Sequence, residues 1–257
     1  MRPSSRFWRV ILKTPPENNN RQQCCWTIIC AAGSSLRMGM DVPKQYLPLN
    51  NSTVLEESLS SFLSHPRIAG VVVALSANDR GWSKLEISSD KSIHTVVGGH
   101  SRARSVHNAL DRVRSLAGAD EFVLVHDAAR PCLGYADLDR LICQGLADEV
   151  GAILATPVCD TIKQIRISDD IREVDQTVDR THLWKALTPQ MFRIQVLHRA
   201  LQACIENNQE ITDDASAVEA IGLRVKIIEG RSDNIKITRQ EDIQLAESIL
   251  RHIRKSA

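Results

Sequence analysis

The sequence predicts an α/β fold: a mostly parallel sheet with helices on both faces, and a two-stranded arm projecting from it. Three observations carry this. Short β-branched runs alternate with helical patterns along most of the chain, the rhythm of strand–crossover–strand units. The chemically unusual residues fall at the ends of those runs, where open parallel sheets bind their ligands. Residues 158–180 depart from the alternation, with apolar and polar residues exchanging places and no helical period, as in a hairpin.

Trp26 to Cys30 reads as a first buried strand that ends at Ala31-Ala32-Gly33. Thr53-Val54-Leu55-Glu56 is a capping box, because Thr53 and Glu56 are spaced to satisfy each other's backbone N–H groups at a helix start. That helix must stop before Pro66. Val71 to Leu75 makes a second strand, and Ile93 to Val97 a third that ends at Gly98-Gly99. Ser101 caps a helix with Val106, Ala109, Leu110 and Val113 on one stripe. Phe122 to Val125 is a fourth strand, running into His126-Asp127.

The pattern changes after Gly151 to Ala155. Ile162, Ile165 and Ile167, then Ile171 and Val174, flank a turn at Ser168-Asp169-Asp170. An isolated hairpin is marginal in water, so this arm is expected to pack on something, a second subunit being the natural candidate. Helical patterns return near 193–207 and 213–221, the second closed by Gly222. Val225 to Ile228 is another strand, and 239–254 a final amphipathic helix. Residues 1–23, with Pro15-Pro16 and an Asn run, are expected to be a disordered extension. Residues 24–257 then form a single domain, with the arm at about 158–180.

Composition narrows the function. A chain of 257 residues is long enough to bury a sizeable core. The net charge of +1 creates no global field for nucleic acid or an anionic membrane, so any positive charge that matters is local. No apolar run approaches the roughly 18–20 residues that span a bilayer. The seven cysteines are scattered, with no zinc spacing, which suits reduced thiols in a cytoplasmic protein.

Two features at strand ends suggest phosphate chemistry. The loop from Ala31 to Gly39 is rich in small residues, which let backbone N–H groups approach a phosphate, and Arg37 and Lys44 add charge. It is neither a Walker loop nor a dinucleotide GxGxxG loop. Asp127 is placed to face a metal or a substrate hydroxyl, and Lys236 sits in a loop before the last helix. Each has an ordinary alternative on its own: a structural turn, a cap, a solvated lysine.

Taken together, AAGSSLRMG from Ala31, Pro43-Lys44-Gln45-Tyr46, VVGGHSRARSV from Val96, VLVHDAARPC from Val123, Thr177-Val178-Asp179-Arg180, Ala186-Leu187-Thr188-Pro189-Gln190, Ile211-Thr212-Asp213-Asp214-Ala215-Ser216 and EGRSDNIKIT from Glu229 resemble the 2-C-methyl-D-erythritol 4-phosphate cytidylyltransferases of the non-mevalonate isoprenoid pathway. The resemblance runs from about Thr27 to the final helix. It implies a Rossmann-like nucleotidyltransferase fold, a homodimer joined through the arm, and Mg²⁺ carried by CTP. It further implies that Ala31, Ala32 and Gly33 hold the nucleotide through backbone groups, and that Gly99 and Ser105 recognise cytosine. Arg37, Lys44 and Lys236 would surround the α-phosphate. Asp127, with its neighbour Ala128, lies between nucleotide and polyol; Asp127, Arg130 and Thr188 would contact the polyol. Arg180 would reach across the dimer to the substrate phosphate, with Thr212 assisting. Ser35 stands where the family commonly has glycine, and His100 where an acidic residue is frequent.

The expected reaction is in-line attack by a substrate phosphate oxygen on the α-phosphorus of CTP, with catalysis by positioning and by cations around the developing charge. Rivals are a ribitol 5-phosphate cytidylyltransferase, whose relatives differ at the HDAARP, TVDR and TDDAS segments, a nucleotide-dependent dehydrogenase, which lacks support without GxGxxG, and a degenerate nucleotide-binding scaffold.

Overall fold

In the computed structural model, residues 24–33, 42–90, 92–118 and 121–256 are described. The expected N-terminal extension, Ser35 and Arg37 lie outside the described residues. In chain order the elements are β1 (Cys25–Ala31), β2 (Pro48–Leu49), β3 (Ser52–Thr53), α1 (Val54–Leu63), β4 (Ile68–Leu75), β5 (Ile93–Val97), α2 (Arg102–Leu116), β6 (Phe122–Asp127) and α3 (Tyr135–Gly145). They continue with β7 (Gly151–Pro157), β8 (Ile162–Ser168), β9 (Ile171–Val178), β10 (Trp184–Arg193), α4 (Ile194–Glu206), α5 (Asp214–Ala220), β11 (Lys226–Glu229) and α6 (Asp242–Ser256).

Seven strands form the central sheet in the order β11-β7-β10-β6-β1-β4-β5. β1 pairs in parallel with β4 and β6, β4 with β5, and β11 with β7, whereas β10 runs antiparallel to both β6 and β7. Consecutive residues of the inner strands point to opposite faces, and both faces are apolar, so the sheet is covered twice. On one side Ile29, Val71, Val73 and Leu124 pack with Leu55, Leu59 and Phe62 of α1 and Leu138, Leu141 and Ile142 of α3. On the other, Ile28, Val72, Val123 and Val125 pack with Val106, Ala109, Leu110 and Val113 of α2 and with Leu197 and Leu201 of α4. A smaller cluster seats Ala246 and Leu250 of α6 on Leu47, Leu49 and Val54.

The local signals act as their chemistry requires. Thr53 accepts from Glu56 N–H while the Glu56 carboxylate accepts from Thr53 N–H, completing the capping box of α1. Ser101 accepts from Arg104 N–H at the start of α2. Gly222, at φ 81°, follows α5 in the left-handed region where a side chain would be strained. The arm is the β8–β9 hairpin, pairing Ile162 with Val178 through Ser168 with Ile171. Asp169 and Asp170 turn it with positive φ, a conformation that short polar residues tolerate.

β10 and α3 have no counterpart in the sequence expectations. A proline demotes a run that would otherwise read as a central strand, and β10 contains Pro189. The pairing of β10 with β7 is irregular between Ala186 and Gln190, so the ladder does not need an N–H from Pro189. α3 is preceded by Gly134 at the N-cap, which offers no side-chain cap, and so lacks the signal that announced α1 and α2.

Candidate active site

The strand order reverses at β1: the chain builds outward through β4 and β5, then α2 carries it back across to β6 on the other side. Loops at the carboxyl ends of β1 and β6 must part there, which opens a crevice. A cavity of about 430 Å³ occupies it. Its wall includes Ala31, Ala32 and Gly33 at the end of β1, Gly99, His100, Ser101, Arg102 and Ser105 after β5, and Asp127, Ala128 and Ala129 at the end of β6. Lys44, Gln45 and Lys236 complete it.

Close approach shapes the side of this wall where the ends of β1 and β5 meet. A Cβ on Gly98 would stand 2.5 Å from Ala32 Cβ and 2.9 Å from Ser105 Oγ, so only glycine lets the β1 and β5 ends meet. The Ser105 hydroxyl accepts from Gly99 N–H at 3.0 Å and donates to Ser101 O at 2.9 Å, locking the glycine turn to the first turn of α2. Gln45, buried, donates to Ala31 O at 2.9 Å and pins the other side.

The charged side of the wall is built around Asp127, which is 9% exposed. Lys236 Nζ lies 2.8 Å from its Oδ2, Arg130 Nε 3.5 Å from Oδ2, and Arg102 Nη2 3.8 Å from Oδ1. Burial opposes ionisation of Asp127, but Arg102, Lys236 and Arg130 outweigh it and hold the carboxyl well below the usual carboxylate range. Arg102 also binds the fully buried Asp214 at 2.7 Å. Burial works against its guanidinium charge, and the Asp214 and Asp127 carboxylates more than restore it. With Arg102, Arg130 and Lys236 facing Asp127 and Asp214, the cluster carries a surplus positive charge toward the cavity. Lys44 Nζ, donating to Ile237 O at 3.2 Å, stands in the same wall. Cys30 also lines it, but burial pushes its thiol up to about 12, so it is a neutral wall group and not a nucleophile.

Behind Asp127 a neutral network fixes the end of β6. His126 Nε2 faces Arg130 O at 3.0 Å, and a carbonyl only accepts, so Nε2 carries the proton and Nδ1 accepts from the Thr188 hydroxyl at 2.9 Å. Thr188 Oγ1 in turn accepts from Asp127 N–H at 3.2 Å. Burial lowers the His126 pKa to about 4, keeping the imidazole neutral near pH 7. Asn234 ties the Lys236 loop to this network by donating to Thr188 O at 2.8 Å, and Arg130 donates to Asn234 O at 2.9 Å.

These features meet known proteins at every level. The family model IspD, 2-C-methyl-D-erythritol 4-phosphate cytidylyltransferase, matches residues 25–252. The chain belongs to this family. It is similar to the 2-C-methyl-D-erythritol 4-phosphate cytidylyltransferase of Pseudomonas putida, with 49% identity over 85% of this chain and 92% of that protein. Among solved structures it is similar to a 4-diphosphocytidyl-2C-methyl-D-erythritol synthase, with 37% identity and a TM-score of 0.76 over 89% of this chain and 99% of the other. The Francisella tularensis 2-C-methyl-D-erythritol 4-phosphate cytidylyltransferase gives 34% identity and a TM-score of 0.75 over 88% and 100%.

Placed on this cytidylyltransferase fold, the described residues among those expected from the sequence divide into three groups. Lys44, Lys236, Ala31, Ala32, Gly33, Gly99, Ser105, Asp127 and Ala128 come together in the cavity wall. Arg130 and Thr188 lie immediately behind it, and the Thr188 hydroxyl is taken up by His126 and Asp127. Arg180 and Thr212 are exposed and do not line this protomer's cavity, Arg180 standing just beyond β9 at the base of the arm. Sequence reasoning missed the roles of Arg102, Asp214 and His126. All three sit inside quoted motifs, but the Arg102–Asp214 contact spans 112 positions, and nothing local in either motif announces the pairing.

Proposed function

We infer that the chain transfers CMP from CTP to 2-C-methyl-D-erythritol 4-phosphate, giving 4-diphosphocytidyl-2-C-methyl-D-erythritol and pyrophosphate. The observation that carries the reading is the convergence of Lys44, Lys236, Arg102 and Asp127 on one crevice at the switch point of the sheet. An oxygen of the substrate phosphate attacks the α-phosphorus of CTP. A new P–O bond forms as the α–β bridging bond breaks, and its electron pair leaves with pyrophosphate. Both partners are anions, so the first task is to overcome their repulsion, and fixed cations in a sheltered site do this. Lys44 and Lys236 act as point charges beside the α-phosphate. Arg37, outside the described residues, belongs to the same proposal.

The glycine turn at Gly98-Gly99, held by Ser105, seats the base, and the backbone of Ala31 to Gly33 follows the nucleotide. Asp127 keeps Lys236 and Arg130 oriented and faces the polyol; it is an orienting group, not a general base, since the surrounding cations hold its carboxyl well below the usual carboxylate range and leave it a poor proton acceptor. Among the described residues the cavity wall offers one carboxylate, Asp127, already faced by cations. That donor set fits a Mg²⁺ ion that would arrive with the triphosphate, for which Asp127 would be the one protein carboxylate on offer, better than it fits a protein-caged ion. Bound magnesium supplies neutralisation of the triphosphate and eases pyrophosphate departure.

We further propose a homodimer in which the arm packs on its partner and presents Arg180 to the partner's sugar phosphate, with Thr212 nearby. Ile167, Ile171 and Val174 of the arm are 67%, 62% and 60% exposed, more apolar surface than a free hairpin tolerates. Among the described residues no helix is long and apolar enough to cross a membrane. No disulfide joins any of the seven cysteines, which supports a reducing, cytoplasmic setting. Pyrophosphate release from CTP with the erythritol phosphate, and little with ribitol 5-phosphate, is the expected result of a direct assay. Release with ribitol 5-phosphate alone would overturn the substrate assignment.

A further inference from the structure

Outside the catalytic crevice, α2 and α4 bring three metal-ligating side chains together. His107 and Asp111 are one helical turn apart on α2, and His198 comes from α4. His107 Nδ1 lies 3.4 Å from Asp111 Oδ2, and His198 Nε2 lies 3.2 Å from Asp111 Oδ1. The donor atoms of all three lie within 4.8 Å of one another. Two ligands that each sit about 2.0–2.1 Å from a tetrahedral zinc ion are separated by roughly 3.4 Å. Each imidazole already stands at about that spacing from one oxygen of Asp111, and the three ligand atoms, all within 4.8 Å of one another, need only draw together around an ion. We propose that His107, Asp111 and His198 form a binding site for a divalent transition-metal ion of the zinc, nickel and copper class that clips α2 to α4.

The chemistry of the donor set selects the ion class. Two imidazoles and one carboxylate suit zinc, nickel or copper and not magnesium or calcium, which require oxygen cages. The two histidine side chains are largely sheltered, at 14% and 19% exposure, while Asp111 at 52% leaves an entry path. A cation already marks the spot. Arg114 Nη1 lies 2.8 Å from His198 Nε2 and 3.8 Å from Asp111 Oδ1. Its guanidinium competes for the same lone pairs, and because it is nearly half exposed it can swing away. Three protein ligands leave a fourth position for water. None of the three lines the crevice that holds the nucleotide.

The test uses the full chain, stripped with chelator and titrated with Zn²⁺ against a chromophoric chelator, and in parallel with Co²⁺ for its visible ligand-field spectrum. The expected result is one tight equivalent, a cobalt spectrum of four-coordinate type without thiolate charge transfer, and a rise in Tm on zinc addition. H198A and D111N should each weaken binding about 10-fold or more, while R114A should tighten it. R114A keeps every ligand, so it reads the site even if a histidine variant folds poorly. Absence of a stoichiometric ion, thiolate charge transfer placing cobalt on the cysteines, or affinity indifferent to H198A, D111N and R114A would overturn the proposal.

Discussion

Lys236 Nζ and Asp127 Oδ2 are 2.8 Å apart, across the mouth between the end of β6 and the loop that precedes α6. A lysine on a loop is ordinarily free to sample many rotamers. Here a carboxylate with little exposure holds it, and Asn234 and Arg130 stitch its loop to the sheet. The pair is therefore a preset cation: its position is fixed by the protein's own contacts, and in the proposed reaction the triphosphate would compete with Asp127 for it.

Removing that cation, or the one across the crevice, should reduce transition-state stabilisation more than ground-state binding. Lys236→Ala and Lys44→Ala are each expected to lose on the order of 10²-fold or more in kcat, the scale of removing one preorganised donor. Steady-state kinetics on the purified variants read this directly. Near-normal turnover in either one removes that lysine from the chemistry.

Asp127→Asn leaves Arg102, Arg130 and Lys236 facing one another without their shared counter-charge, so it should destabilise the fold as well as slow the reaction. The sign of the pH effect follows from the lowered pKa of Asp127. The unfolded chain binds this proton more readily than the folded one, so stability from the cluster is complete above about pH 4 and is lost as pH falls through the lower folded value. Denaturant midpoints should show a wild-type advantage over Asp127→Asn at pH 7 that shrinks in acid. A gap that stays constant down to the acid transition would contradict the ion-pair reading.

His126 titrates in a different window. Its folded pKa, about 4, lies below the ordinary histidine value near 6.5, because burial disfavours the charged ring. The unfolded state therefore takes up a proton first as pH falls, and stability should decline between about pH 6.5 and about pH 4, by roughly 3 kcal/mol if no other group compensates. His126→Gln keeps a donor and an acceptor but cannot charge. Chemical denaturation of this variant should lack that decline, and an identical pH profile would show that His126 does not govern it.

Much of this was legible from the chain, for reasons that can be named residue by residue. Buried strands such as Val71 to Leu75 announce themselves by β-branched runs, and Thr53 and Ser101 announce helices by capping chemistry; these signals are local, so one sequence suffices. Lys44, Asp127 and Lys236 were legible as members of motifs, and the topology brings them into one cavity. β10 was hidden because Pro189 argues against a central strand, while the irregular pairing with β7 that tolerates it is visible only in three dimensions. The Arg102–Asp214 pair was hidden for the same physical reason. A contact between the first turn of α2 and the first turn of α5 is a product of packing, and neither residue's neighbours encode it.

The arm gives the sharpest test of assembly. Arg180 stands beyond β9, exposed and absent from its own cavity wall, whereas Lys44 lines that wall. If Arg180 serves the neighbouring protomer, each active site takes Lys44 from one chain and Arg180 from the other. Arg180→Ala alone should raise KM for the sugar phosphate and leave that for CTP nearly unchanged. Arg180→Ala and Lys44→Ala chains, each impaired alone, should regain activity when co-expressed, because a mixed dimer holds one site with both residues intact. Random pairing of equal amounts yields about a quarter of the wild-type number of sites. Placing both substitutions in one chain and mixing it with wild type must not exceed the same dilution arithmetic. If co-expression restores nothing while mixed dimers are present by mass, Arg180 acts within its own chain or not at all.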